Sequence, residues 1–258
     1  MAKVITITNQ KGGVGKTTTS VNLGYYLAKA KQRTLIIDFD PQGNASSGLG
    51  TQLSDIKKSM CDVMLGEAKL ADVIKPVEKN KNLFIAPTIP ELANVEQQMS
   101  EIENHFTILR DAVNEVADDY DYILIDSPPS LSLLTVNGMT AAEYLILPVQ
   151  TEFYALVGVA QLLESMKLVK EALNPDFKLL GVLATMYDKR TTLSSEVLAD
   201  IKKNFKDKVF ETTIPRNVRL AEAPSHGVPI GQYDRFSKGA KAYKNLAQEV
   251  MERCEWRH

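Results

Sequence analysis

Apolar residues along this chain are grouped in short continuous runs, which are separated by longer stretches of mixed character. The runs YILID (122–126) and YLILPV (144–149) are apolar at consecutive positions rather than at alternate ones. A strand with this pattern is buried on both faces, as in a parallel sheet covered by helices on both sides. Comparable runs predict further strands over residues 4–8, 34–38, 83–86, 179–185 and 209–214.

The stretches between these strands have helical length and spacing. We predict helices over residues 16–31, 91–117, 156–172, 194–205 and 240–251. Strand and helix in regular alternation predict an α/β fold, with a doubly wound, mostly parallel sheet and helices on both faces. With no internal repeat or linker in the sequence, we expect one domain over residues 1–258. Residues 46–90 are the least regular part, and no structure is assigned to them.

The most informative motif is NQKGGVGKTTT (9–19), which lies between the first strand and the first helix. Glycines let backbone amides turn inward, and the start of a helix adds its positive dipole end, so the loop can bind phosphate. The common pattern GxxxxGK[ST] is not met strictly, because Gln10 occupies the first glycine position. The predicted phosphate-binding residues are Lys11, Gly12, Gly13, Val14, Gly15, Lys16, Thr17 and Thr18. Lys16 would reach the terminal phosphates, and the Thr17 hydroxyl would bind Mg²⁺.

Three acidic residues lie at or just beyond the ends of predicted strands. LIIDFDPQGN contains Asp38 and Asp40, and DYILIDSPPS contains Asp126 after four apolar residues. Open α/β sheets bind ligands at the carboxyl ends of their strands. Asp126 also has the form of the acid that holds Mg²⁺ in phosphate-loop enzymes. An isolated Asp at a strand end is usually a cap, but three beside a phosphate loop indicate a nucleotide and magnesium site.

Composition narrows the class of protein. The 258 residues are 44% apolar and 24% charged, with a net charge of −2, which excludes a disordered chain or a polycation. The two cysteines form no disulfide framework, and no apolar run approaches the roughly 18 residues of a membrane span. With no recognisable leader, we expect a cytoplasmic protein.

The total charge conceals an asymmetry. Residues 176–258 contain 15 basic and 11 acidic residues, whereas residues 1–175 contain 15 and 21. Such an excess is usually solvated surface, so its meaning depends on where the charges lie.

Several motifs together resemble one family. KGGVGKTT with its additional Lys11, DFDPQGN, LIDSPPS, TMYDKRTTLSSEV and IPRNVRLAEAPSHGVPIGQYD are similar to the deviant-Walker-A ATPases of the ParA/Soj partitioning type. The likeness extends over nearly the whole chain. It implies a P-loop NTPase architecture, ATP and Mg²⁺ as cofactors, slow intrinsic ATP hydrolysis, and a role in chromosome or plasmid partition.

The resemblance also implies roles for individual residues. ATP would be held between two subunits of a homodimer, with Lys11 reaching the partner subunit's ATP and Gly12 at the seam. Asp40 would orient or activate the attacking water, and Asp38 and Asp126 would support magnesium. The family further places adenine against Pro215 and Asn217.

Two macromolecular partners follow from the same likeness. The ATP-bound dimer would bind double-stranded DNA without sequence preference and so associate with the nucleoid. The basic residues that we expect to contact DNA are Arg190, Arg219 and Lys203. A centromere-binding protein of the ParB/Spo0J type would stimulate hydrolysis, although the sequence indicates no docking site for it.

Two relatives with similar phosphate loops are the alternatives. MinD-like ATPases end in a basic amphipathic helix that lies on a membrane. Here the apolar stripe of the last predicted helix favours packing on the core, so we expect no stable membrane association. Metal-cluster carriers need cysteines near the dimer axis, and Cys61 and Cys254 lack that spacing.

Overall fold

The computed structural model describes residues 1–153, 155 and 158–255. These residues form a seven-stranded sheet in the order β3-β4-β2-β5-β1-β6-β7. All neighbouring strands are parallel except the short β3, which runs antiparallel to β4 at one edge. The strands are β1 (Lys3–Ile7), β2 (Thr34–Asp38), β3 (Lys75–Pro76), β4 (Leu83–Ala86), β5 (Tyr122–Asp126), β6 (Tyr144–Gln150) and β7 (Lys178–Thr185).

Twelve α-helices accompany this sheet within the described part of the chain. They are α1 (Lys16–Lys29), α2 (Asn44–Gly48), α3 (Met60–Met64), α4 (Leu70–Val73), α5 (Leu92–Met99), α6 (Ile108–Asn114), α7 (Leu133–Ala141), α8 (Val159–Ala172), α9 (Thr192–Phe205), α10 (Val218–Glu222), α11 (Ile230–Tyr233) and α12 (Lys238–Glu255). The predicted fold class is confirmed. No helix of the described residues is both long and apolar enough to pass through a bilayer.

The strand predicted over residues 209–214 is wrong. That segment pairs with β7 at one isolated bridge, between Val209 and Val182. It also donates two backbone hydrogen bonds to β7, from the amides of Phe210 and Ile214. Between these two hydrogen bonds, the backbone amides of Glu211 and Thr212 donate to the carboxylate of Glu249 on α12, at 2.9 and 3.0 Å. Because these amides bond to a side chain, no continuous ladder forms.

Helix predictions were partly right. The helix predicted over residues 91–117 is divided into α5 and α6, because Asn104 has a left-handed φ of 60° and the Asn137 amide donates to the carbonyl of His105. Helix α7 was not predicted, since six of its nine residues are buried and it has no amphipathic stripe. Helix α8 begins at Val159; residues 156 and 157 of its predicted start lie outside the described residues.

Two apolar clusters cover the two faces of the sheet. One includes residues of α3, α5, α6, α7, α8 and α9, and the other includes residues of α1 and α12. Helix α12 packs against α1, where the hydroxyls of Tyr243 and Thr19 are 3.1 Å apart. With both faces covered, the carboxyl ends of the parallel strands remain available for a site.

Candidate functional site

The loop between β1 and α1 has the backbone that a phosphate cradle requires. Gly13 and Gly15 have φ values of 74° and 92°, in the left-handed region that favours glycine. Gly15 is the residue immediately before α1, and no side chain caps this helix start. The amides of its first turn therefore lack a side-chain acceptor and can donate to an anion.

Hydrogen bonds to two other strands hold this loop in place. The Asn9 side chain donates to the carbonyl of Pro148 in β6 at 2.7 Å and accepts from the amide of Lys11 at 3.0 Å. The Thr185 hydroxyl, at the end of β7, donates to the carbonyl of Val14 at 2.8 Å. The sequence did not indicate either role, because nothing local identifies a polar residue that bonds across strands.

Lys16 is buried at the centre of the loop, with 6% of its surface exposed. Its ammonium donates to the carbonyl of Lys11 at 3.2 Å. Burial lowers the pKa of Lys16, and the nearby carboxylates of Asp126 and Asp40 oppose that shift. A terminal phosphate would supply a closer negative charge to this desolvated cation.

Asp38 and Asp126 are opposite each other on β2 and β5. A serine holds one oxygen of each. Asp38 Oδ2 accepts from the amide and hydroxyl of Ser46 at 2.7 and 2.6 Å, and Asp126 Oδ1 accepts from the Ser20 hydroxyl at 2.8 Å. The other oxygens, Asp38 Oδ1 and Asp126 Oδ2, are buried and have no hydrogen-bond partner among the residues that the structure describes. The sequence predicted the acids but neither serine.

These two carboxyl groups are poorly satisfied in the protein alone. Burial raises the pKa of both groups. The negative charge of Asp38 raises the pKa of Asp126 further. The Ser20 hydroxyl, and to a smaller extent that of Thr17, opposes this rise in the pKa of Asp126. Oxygen donors of this kind, with unpartnered buried oxygens, suit Mg²⁺.

The donor set also fits the way magnesium is usually held. Within residues 1–153, 155 and 158–255, no three His, Cys, Asp or Glu side chains form a metal-binding group. Magnesium commonly uses one or two carboxylates together with substrate phosphates and water rather than a cage of protein ligands. The arrangement of Thr17, Asp38 and Asp126 is of this type.

Asp40 follows β2 on the same edge and is 6% exposed. Its Oδ1 accepts from the Gln42 amide at 3.0 Å, and its carbonyl accepts from the Gly43 amide at 2.9 Å. These bonds close a turn that fixes the carboxylate beside the loop. Gly12, in contrast, is exposed, and a Cβ added there would contact none of the described residues within 4 Å.

Pro215 and Asn217 lie just beyond the same edge. Tyr187, two residues past β7, forms a bridge with Pro215. Asn217 precedes α10, and its side chain accepts from the amide of Arg219 at 2.9 Å. The fold therefore brings this segment to the edge where the phosphate loop lies, while the predicted adenine contact stays a prediction.

The three predicted DNA contacts are exposed but do not form one cluster. Arg190 is bidentate to Asp188, at 2.9 and 2.7 Å. Arg219 contacts Glu222 at 2.9 Å and Asp234 at 3.7 Å. Arg190 precedes α9, whereas Lys203 lies in the last turn of that helix. At about 1.5 Å per residue, Lys203 is roughly 17 Å along the helix axis from Thr192.

A parallel sheet with a phosphate loop between its first strand and first helix, and two acids at the ends of adjacent strands, defines a P-loop NTPase. Residues 2–179 match the AAA domain family. Over 250 residues the chain is 50% identical to the sporulation initiation inhibitor protein Soj of Bacillus subtilis, covering 97% of this chain and 98% of that one. It is 45% identical over 253 residues to the chromosome-partitioning ATPase Soj of Treponema pallidum, covering 98% of each.

A solved structure agrees with this assignment of fold. It is described as cobyrinic acid a,c-diamide synthase from Mycobacterium smegmatis with bound ADP and magnesium. Its identity to this chain is 34%, its TM-score is 0.87, and the match covers 99% of this chain and 96% of that one. The match to this structure and the matches to the two Soj proteins each cover almost the whole sequence. The chain belongs to the ParA/Soj family of partitioning ATPases.

The MinD-like alternative is not favoured. Several relatives with 45–47% identity over nearly the whole chain are chromosome-partitioning proteins. The apolar stripe of α12 is packed on the core rather than free for a membrane. Its buried residues include Ala240, Tyr243, Leu246, Ala247, Val250 and Cys254.

Proposed function

We propose that this partitioning ATPase binds ATP and Mg²⁺, forms an ATP-dependent homodimer, binds double-stranded DNA non-specifically in that state, and leaves DNA after hydrolysis. The observation that carries the proposal is the phosphate loop beside two buried carboxylates, each with one unpartnered oxygen. A site of this kind is incomplete without a cation and an anion. Mg²⁺ bound to nucleotide phosphates supplies both.

Each part of the site has a separate task in nucleotide binding. The backbone of residues 11–18 binds the phosphates, and Lys16 contacts the terminal ones. Thr17, Asp38 and Asp126 hold magnesium, directly or through water. When bound, the metal neutralises charge that develops during phosphoryl transfer. Pro215 and Asn217 contact adenine, which their place at the same sheet edge supports.

Hydrolysis uses Asp40 and Lys11. The Asp40 turn holds its carboxylate where it can orient water toward the terminal phosphate. Lys11 of one subunit reaches the nucleotide of the other, and a cation supplied in this way stabilises the transition state as an arginine finger does. Intrinsic turnover is slow, because this arrangement is complete only in the dimer. The open space at Gly12 supports a close approach of two loops.

The DNA surface consists of Arg190 and Arg219, with Lys203 as an outlying contact. All three side chains are exposed, and phosphate contacts need charge rather than base-specific geometry. A dimer would join two such surfaces and so raise the affinity. A ParB/Spo0J-type centromere-binding protein stimulates hydrolysis and thereby release.

We place the activity in the cytoplasm, on the nucleoid, with residues 1–258 acting as one domain and without stable membrane association. Liposome flotation with ATP tests the last point, since strong recruitment would favour a MinD-like role.

The oligomeric switch is tested with Asp40→Ala, which should bind ATP but not hydrolyse it. Size-exclusion chromatography with light scattering should give a dimer with ATP and a monomer without it. A monomer under both conditions would contradict the proposed dimer. Hydrolysis at the wild-type rate would contradict the role given to Asp40.

A further inference from the structure

Ser46 lies beside the proposed magnesium site, and the proposed mechanism gives no role to the hydrogen bonds that it forms there. It lies in α2, eight residues after Asp38, and is 3% exposed. Its amide and hydroxyl both donate to Asp38 Oδ2, at 2.7 and 2.6 Å. Two short bonds to one oxygen fix the plane of that carboxylate.

The same hydroxyl also bonds to a third element. Ser46 Oγ accepts from the amide of Thr88, two residues past β4, at 3.3 Å. The Ser46 side chain thus joins the ends of β2 and β4. A hydroxyl that donates once and accepts once in this way has little freedom to rotate.

The intervening segment carries Asp40. Residues 38–46 form a closed loop whose ends are joined by the Asp38–Ser46 bonds, and within it the Asp40 carboxylate accepts from Gln42. Because both ends of this loop are fixed, the position of Asp40 depends on the same contact that orients Asp38.

Ser20 gives the arrangement a counterpart. Its hydroxyl holds Asp126 Oδ1, and the opposite oxygen is again buried without a partner. In both acids a serine anchors one oxygen and leaves the other free to face a ligand. Side chains that hold metal-binding carboxylates in this way affect metal affinity without contacting the metal.

We propose that Ser46 is a positioning residue for this site: it directs the free oxygen of Asp38 toward the magnesium position and fixes the turn that carries Asp40. The inference rests on the proposed nucleotide and magnesium site and adds a residue through which that site is assembled. It predicts that loss of the hydroxyl weakens metal binding more than it destabilises the fold.

The test measures binding of Mn²⁺, in place of Mg²⁺, to the full chain with saturating ADP, by electron paramagnetic resonance. Ser46→Ala keeps the backbone bond to Asp38 and loses only the hydroxyl bond. We expect about tenfold weaker Mn²⁺ binding, at the lower end of the effects that such residues have. Ser46→Thr retains a hydroxyl and should recover most of the affinity.

Ser47→Ala is the matched control. Ser47 is the next residue of the same helix, is exposed, and its hydroxyl donates to the carbonyl of Asn44 at 3.3 Å. It should bind Mn²⁺ as the wild type does. Thermal unfolding of each variant without ligands separates a loss of site geometry from a loss of fold. If Ser46→Ala does not fold, the near-isosteric Ser46→Cys, with its weak donor, should give the same ordering.

The outcomes separate this inference from the proposed function. A wild-type chain that binds Mn²⁺ no more tightly than ADP in solution does would contradict the metal site itself. Wild-type binding with equal affinity in Ser46→Ala, or in Ser46→Cys, would overturn the role of Ser46. A lower unfolding temperature with unchanged Mn²⁺ affinity would also overturn it, since Ser46 would then be only structural.

Discussion

The charged groups of the proposed nucleotide site, at the carboxyl ends of the strands, differ in burial and in hydrogen bonding from those of the proposed DNA surface. Asp38 and Asp126 are fully buried and Lys16 is 6% exposed, each with fixed hydrogen bonds. The side chain of Arg190 is 83% exposed and that of Arg219 is 54% exposed. The fold sets the geometry of the first group, whereas solvent and ions compete for the second.

This difference has an energetic consequence. Exposed ion pairs contribute about 0–1 kcal/mol, whereas an unpaired buried charge costs several kcal/mol. The buried charges of the nucleotide site therefore destabilise the protein until a ligand is bound. Mutations there should change ligand affinity and the free energy of unfolding strongly. Mutations on the DNA surface should have smaller effects that depend on salt.

The largest effect is expected for Lys16→Ala. A charge-assisted hydrogen bond contributes about 1.5–3 kcal/mol, so ATP affinity should fall roughly 10- to 150-fold. A fluorescent ATP analogue measures the affinity, and the exposed Lys31→Ala serves as the control. An unchanged affinity in Lys16→Ala would contradict the position assigned to the terminal phosphate.

Gly12→Val separates nucleotide binding from dimer formation. A Cβ at this position lies within 4 Å of no atom in the described part of the chain, so ATP should bind with near wild-type affinity. At a close seam it would overpack, which costs about 1–3 kcal/mol, and the dimer should weaken roughly 5- to 150-fold. Sedimentation with ATP measures the dimer, and a normal dimer would show that Gly12 does not lie at the seam.

Asp126→Asn should stabilise the nucleotide-free protein. Burial and Asp38 raise the folded-state pKa of Asp126 to about 8, so the free energy of unfolding falls as the pH rises from the unfolded-state pKa up to that value. Replacing the carboxyl should add about 1–2 kcal/mol at mildly alkaline pH and less at acidic pH. Urea unfolding at both pH values measures this gain. Equal free energies of unfolding for the wild type and Asp126→Asn at alkaline pH would show that the buried carboxylate does not destabilise the fold.

The smallest effects are expected on the DNA surface. Arg190→Ala and Arg219→Ala should each weaken binding to non-specific duplex DNA in ATP and reduce the log–log salt slope by about one. Lys203→Ala should change the slope less, since it lies at the far end of α9. An equal loss in all three variants would place Lys203 within the same surface.

The two regions also differ in how much the sequence revealed. The phosphate loop, Asp38 and Asp126 were predictable because a strand, a glycine-rich turn and strand-end acids are local patterns. Asn9, Ser20, Ser46 and Thr185 were not, because each acts through a bond to a residue distant in sequence or on another element. The error at residues 209–214 has the same origin, since Glu249 lies 38 positions from Glu211.

On the DNA surface, sequence indicated charge but not arrangement. The basic excess of residues 176–258 was visible, while the carboxylates beside Arg190 and Arg219 and the distance to Lys203 depend on the fold. Helix α7 was missed for a related reason, because a helix buried on most sides has no polar face to mark its period.

The central claim is that ATP at the buried edge controls DNA binding at the exposed surface. It is tested most directly by measuring the affinity of Asp40→Ala for a non-specific DNA duplex with and without ATP, at low and at physiological salt. The account predicts tight binding only with ATP, weakened by salt and by Arg190→Ala. Equal binding with and without ATP would contradict it.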